Sequence, residues 1–196
     1  MSVRSPFASV SGFDDQFEQA QNSIFRLETL QCYGNSGEDP ALAAFLADQP
    51  YLITEGKRTW ISLVRDRVAA GCRMQRVHVV TEPLTDYVRF ELTWGYAPNV
   101  DAGEEIHLVP VTEDQTWPAD LPEATDFWLF DSAVLYGMHY DLDGTWRGVE
   151  LVTAPDRVVE ACRWREAALR HAVPWRRYID QRPWLAQHLE GIPTTA

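Results

Sequence analysis

The 196-residue chain is 45% hydrophobic and 12% aromatic, with eight Trp, and carries a formal net charge of −12. That much core material excludes global disorder, the length suits one domain, and the acidic balance disfavours direct nucleic-acid binding, which needs basic density against phosphate. No apolar run reaches the roughly 18 residues of a membrane helix, the opening MSVRSPFASVSGFDDQ lacks the apolar block of a signal peptide, and the scattered Cys32, Cys72 and Cys162 fit reduced thiols in a cytoplasm rather than a disulfide scaffold or a metal site.

Residues 1–12, rich in Ser and Gly, read as a disordered tail ahead of a single domain over 13–190. Phe13, Phe17 and Ala20 recur at helical spacing, with Asp14 and Asp15 suited to a first turn. Residues 23–30 read as a strand, since Phe25, Leu27 and Thr29 alternate with Arg26 and Glu28; the alternative is a continuation of the preceding helix. Asp39-Pro40 opens a short helix to Ala47. A longer helix over 60–70 should bury Trp60, Val64 and Val68 and end at Gly71, where a left-handed cap fits. The β-rich run at 73–80 is closed by Glu82-Pro83. A helix over 85–94, Gly103 and a strand over 105–110 repeat the helix–Gly–strand order, and helical crossovers favour parallel neighbours.

A Pro-bearing connector over 115–125 leads into a meander of three strands near 126–131, 133–140 and 146–152, with Asp141 to Gly144 as a hairpin turn. Ala154-Pro155-Asp156 then opens a helix to about Ala172, Pro174 interrupts, and 175–189 continues as one or two short helices. The fold class is therefore α/β, a mixed sheet flanked by helices, with 77–80, 106–109 and 127–130 among the central strands.

Chemistry is more sparsely marked. Lys57 is the only lysine, and Glu55-Gly56-Lys57-Arg58-Thr59 fits neither a P-loop nor a Schiff-base motif. Residues 97–150 hold twelve Asp or Glu against Arg147 alone, between two basic helical stretches; these can neutralise each other within the fold or form a basic ligand-binding face. Arg76 and His78 share one strand face, opposite Val77 and Val79. Were helices to cover only the other face, Arg76, His78, Arg89, His107 and Asp131 could line a pocket for a phosphate- or carboxylate-bearing molecule. A hydrated open face or pairing with the acidic middle is the alternative. Asp131 and Asp126, at the ends of a buried strand, suit either catalysis or the capping of backbone N–H groups. No His has zinc-ligand spacing, no GxSxG elbow is present, and no cofactor signature is found. Cys72 sits among Arg73 and Arg76, which favour a thiolate, though a small Cys at a strand start also serves packing. Trp175-Arg176-Arg177-Tyr178 combines the residue types that anchor protein interfaces; the other reading is that these rings cover the sheet.

The ordered blocks FRLETL, WISLVRDRVAAGCRMQRVHVV, EPLTDYVRFEL, AGEEIHLVP, DFWLFD and WREAALRHAVPW resemble an actinobacterial domain family of unknown function, often encoded beside helix-turn-helix regulators. The resemblance spans about 13–178 and implies no activity. The order of elements is also similar to half of a phospholipase D fold, whose His-x-Lys-x4-Asp motif would fall on Ala124, Asp126 and Asp131. The His and Lys are missing, so the likeness implies a binding descendant rather than a phosphodiesterase. Two expectations follow: a non-catalytic cytoplasmic protein acting on a protein partner such as a helix-turn-helix regulator, or an enzyme or sensor for an anionic small molecule.

Overall fold

The computed structural model describes residues 12–34, 37–189 and 192, so the expected tail lies, save Gly12, outside the described residues. Helix α1 (Phe13–Gln19) leads to strand β1 (Ser23–Glu28), then α2 (Asp39–Leu46), α3 (Glu55–Ala69) and β2 (Arg73–Thr81). A split helix follows, made of α4 (Asp86–Phe90), a π-helical turn (Glu91–Gly95) and α5 (Tyr96–Asp101). Next come β3 (Glu105–Val111), the meander β4 (Asp126–Phe130), β5 (Val134–Tyr140) and β6 (Trp146–Val152), and α6 (Pro155–His171). The two-residue β7 (Val173–Pro174), α7 (Trp175–Asp180), α8 (Pro183–Ala186) and a 3-10 turn (Gln187–Leu189) complete it.

The strands form one mixed sheet in the order β6-β5-β4-β1-β2-β3-β7. β1 and β3 both run parallel to β2, whereas β4, β5, β6 and β7 join antiparallel. This is the α/β class with helical crossovers between the parallel strands. Thr54 caps α3 by accepting from the Lys57 amide at 3.2 Å, so the helix starts well ahead of Trp60. Gly71 ends it with φ 87°, as its position in the sequence suggests. β7 adds an edge pair to β3, where Pro174 needs no ladder donor.

Helices cover both sheet faces, so the condition under which Arg76 and His78 would lie on an open face is not met. On one face, α6 places Ala161, Ala167 and Ala168 against Phe25, Leu27, Val77, Val79, Phe127 and Leu129. The opposite face carries two separate apolar clusters. One joins α1 and α3 to Ile24, Met74, Trp128 and Phe130; the other joins the split helix and α7 to Val80, Ile106 and Leu108. Between them runs a polar band, Arg26 and Glu28 on β1 beside Arg76 and His78 on β2, all buried.

Of the three α3 residues expected inside, Val64 is fully buried while Trp60 and Val68 are only half-buried; Ile61 takes the remaining core position. Val64→Asp is expected to destabilise by about 2–4 kcal/mol, since it places an unpaired carboxylate among Ile24, Met74 and Phe130. Urea midpoints read it directly, and a near-neutral value would mean that this helix does not pack as described.

Candidate functional site

The split helix arises where two sequence demands collide. Pro98 has no N–H and its ring crowds the carbonyl four residues back, that of Trp94. The wider turn at Glu91–Gly95 accommodates it and keeps the helix continuous. Tyr87, Glu91, Gly95 and Asn99, four residues apart, consequently fall along the side that looks at the polar band. Gly95 leaves room there for the Glu91 carboxyl, which a methyl group would displace.

Between this helix, the N-terminus of α3 and the ends of β1, β2, β4 and β5 lies a cavity of about 460 Å3, within the range of small-molecule sites. Its aromatic walls come from Tyr33, Tyr87, Tyr96 and Tyr140, and from Trp60, Trp128 and Trp146. Charge reaches it through Glu28, Glu38, Glu91, Lys57 and Arg76.

Glu28 is the hub. It accepts from Arg76 at 2.6 Å, from the Tyr96 hydroxyl at 2.8 Å and from Arg26 at 3.4 Å. Burial works to raise its pKa, yet Arg76 and Arg26 hold it well below the usual carboxylate range. Arg76 also donates to Glu104 at 2.9 Å, and its guanidinium lies over the Trp128 and Tyr96 rings, 5.6 Å from each centroid. Behind the wall Asp126 accepts from Arg26, Tyr33 and Thr29, locking the loop after β1. Tyr33, Tyr87 and Tyr96 are pushed up by burial first and by neighbouring carboxylates next, so each hydroxyl keeps its proton.

A second cluster closes the other wall. Lys57 pairs with Glu38 at 3.1 Å, and Tyr87 donates to Glu91 at 3.1 Å. The Glu91 carboxyl also hydrogen-bonds the Glu38 carboxylate. Burial, then the Glu38 charge, raises Glu91 well above the ordinary carboxyl value, while Lys57 holds Glu38 below it against burial. Glu91 is therefore the proton-bearing member of the pair. With its folded pKa above the unfolded 4.5, Glu91 contributes stability that is complete below that value and is lost as pH rises through the raised pKa. Glu91→Gln, neutral at every pH, should abolish this slope, so that wild type falls progressively behind the variant as pH rises above the unfolded value of 4.5. Parallel stability profiles would show that Glu91 titrates in the fold as it does in the unfolded chain.

Only part of the expected site assembles. Arg76 and His78 come together on the covered face. His78 is sealed off from the cavity, its ring nitrogens bonded to the Tyr96 hydroxyl and the Leu30 carbonyl, both at 2.8 Å, and burial keeps it neutral. Arg89 lies at the surface paired with Asp86. His107 alternates with Ile106 and Leu108 and so points to the α6 face. Asp131, in a left-handed turn, accepts from the backbone amides of Gln21, Asn22 and Ser23 at 2.7–2.8 Å, tying the end of β4 to the start of β1. Cys72 is buried, and burial raises its thiol rather than activating it. Trp175 and Tyr178 are buried in the cluster beneath α7, while Arg176 and Arg177 are exposed.

Glu28, Glu38, Glu91, Asn99 and the four tyrosines were not singled out by the sequence reading. The available signal was the four-residue spacing of Tyr87, Glu91, Gly95 and Asn99, a polar stripe on a helix that must also cover a sheet. Among the described residues no group of three or more His, Cys, Asp or Glu could hold a metal ion, and no helix is long and apolar enough to cross a membrane. Compared with known sequences, residues 11–180 match the family described as a domain of unknown function, DUF6879. No curated protein matches the chain.

Proposed function

The chain belongs to the DUF6879 family, a domain of unknown function, and from its own geometry we propose that it is a small-molecule-binding protein with the cavity beneath the split helix as its ligand site. One observation carries this reading: buried charged groups surround an open volume of about 460 Å3 instead of a sealed core. Polar groups in a protein interior are costly unless hydrogen-bonded, and here they are held in place by partners on several elements. The aromatic walls supply apolar contact and the fixed polar groups supply orientation, the usual division of labour in a ligand pocket. Among the described lining residues the Thr54 hydroxyl is engaged as the α3 cap, Lys57 is paired with Glu38, and the Tyr33, Tyr87 and Tyr96 hydroxyls keep their protons, which favours a sensor over covalent catalysis.

Gly56 offers a clean test. It lines the cavity mouth with open space where a side chain would project. Gly56→Trp should block entry without disturbing the core. In a thermal-shift screen of metabolites, compounds that stabilise the wild type should fail to stabilise this variant. Stabilisation of both proteins alike by every hit would place binding elsewhere.

A second reading, a cytoplasmic protein acting on a helix-turn-helix regulator, is supported by exposed Arg176 and Arg177 on α7 near Trp184, which is 47% exposed on α8. Reversing both arginines to Glu should then weaken capture of a co-encoded regulator while the fold is kept; undiminished capture would dismiss this surface.

A further inference from the structure

We propose that the ligand of this cavity is a small organic cation bearing N–H groups, an alkyl- or arylammonium. This inference rests on the reading of the cavity as a ligand site and names the class of molecule it takes.

Charge accounting comes first. Every cation at or just behind the wall is already matched: Arg76 by Glu28 and Glu104, Lys57 by Glu38, Arg26 by Asp126. Glu91 remains as a further carboxyl on the wall, beside Glu38; it carries its proton there, and a cation placed next to it favours its charged form. An incoming phosphate or carboxylate would meet carboxylates and no unmatched cation. An ammonium would instead complete the acidic excess in a medium that screens poorly. This differs from the anionic ligand expected when Arg76 and His78 were read as an open basic face.

Asn99 supplies an independent observation. It is 2% exposed and lines the cavity, and its amide orientation is set because Nδ2 must face the Glu104 carboxylate, which it reaches at 2.8 Å. Its Oδ1 is thereby left as a buried acceptor with no donor among the described residues. Such groups are rare and costly, and a ligand N–H that reached this one, which is closed to solvent, would satisfy it. Asn99 and Glu91 stand on the same side of the split helix, so one elongated amine can address both ends.

The walls agree. Trp128 already faces the Arg26 and Arg76 guanidiniums at 5.4 and 5.6 Å, showing ring faces oriented toward positive charge. Tyr140 and the half-exposed Trp146 extend the ring lining to the mouth, where a desolvating cation would next make contact.

The test is calorimetric titration of the full chain with three matched probes: phenethylamine, 2-phenylethanol and phenylacetate. The amine should bind about tenfold or more tightly than the alcohol, with phenylacetate weakest. Asn99→Leu should weaken the amine by about tenfold. Lys57→Met, which removes a competing positive charge at a half-buried site, should strengthen it and still bind if the Asn99 variant folds poorly. Preference for the alcohol or the carboxylate, or a weaker amine in Lys57→Met, overturns the cation class and leaves the cavity reading standing. No binding by any of the three also overturns the class; the metabolite screen with Gly56→Trp judges the cavity separately.

Discussion

Asp126→Asn is expected to destabilise the fold by about 3–5 kcal/mol, as breaking a buried ion pair does. The carboxylate is 3% exposed and each oxygen is doubly engaged. Oδ1 accepts from the Thr29 amide at 2.8 Å and its hydroxyl at 2.7 Å; Oδ2 accepts from the Tyr33 hydroxyl at 2.6 Å and from Arg26 at 3.0 Å. An amide of the same shape turns one acceptor into a donor that faces donors. It also leaves Arg26, whose Nη1 has no partner among the described residues, with Glu28 at 3.4 Å as its remaining carboxylate. Urea unfolding should show the loss, together with a fall in Tm of about 6–20 °C for a chain of this length. Arg26→Met combined with Asp126→Leu should cost clearly less than the two single changes added, since removing both charges leaves none unpaired. A loss below about 1 kcal/mol in Asp126→Asn would mean that water reaches this pair.

The sheet was readable in the sequence because its strands are marked on both faces. Val77 and Val79 alternate with Arg76 and His78, and Phe127 and Leu129 with Trp128 and Phe130, so β2 and β4 declare themselves without tertiary information. Boundaries failed where the local signal was ambiguous. Gly56 disguised the first turn of α3, and Gly95 with Pro98 suggested a stop where the π-helical turn carries the helix through to Asp101. The site was less legible for a different reason. Charged residues on a strand read as exposed unless something covers them, and the cover over Arg76 and Glu28 is a helix whose polar stripe is set by distant packing. Arg26 and Asp126 are separated by 100 residues in sequence, and no local pattern announces their pairing. Asp131 shows the converse: a carboxylate at a strand end looks chemical in one dimension and is a backbone cap in three.

Trp175→Ala is expected to destabilise by about 3–5 kcal/mol, the range for removing a buried Trp or Phe ring. The indole is 3% exposed, packs with Leu92, Tyr96, Ile106 and Leu108, and donates Nε1 to the Leu92 carbonyl at 2.7 Å. Truncation empties the space between α7 and the split helix and removes the donor that anchors one to the other. Tyr178 holds the same segment from its other side, its hydroxyl donating to Glu82 at 2.6 Å, so α7 should loosen rather than detach. Arg176, exposed with its guanidinium 5.1 Å from the Trp175 ring centroid, should add no more than about 1 kcal/mol when it too becomes Ala. The double variant will therefore report on the core and not on a partner surface, and only charge reversal at Arg176 and Arg177 isolates the latter. Because Leu92 lies in the π-helical turn that also carries Glu91, loss of the indole should propagate to the cavity. A Trp175→Ala protein that still folds at low temperature should bind the cavity's ligand more weakly than wild type. Near-native stability in that variant would place the ring at the surface, where the composition of the segment alone had suggested an interface.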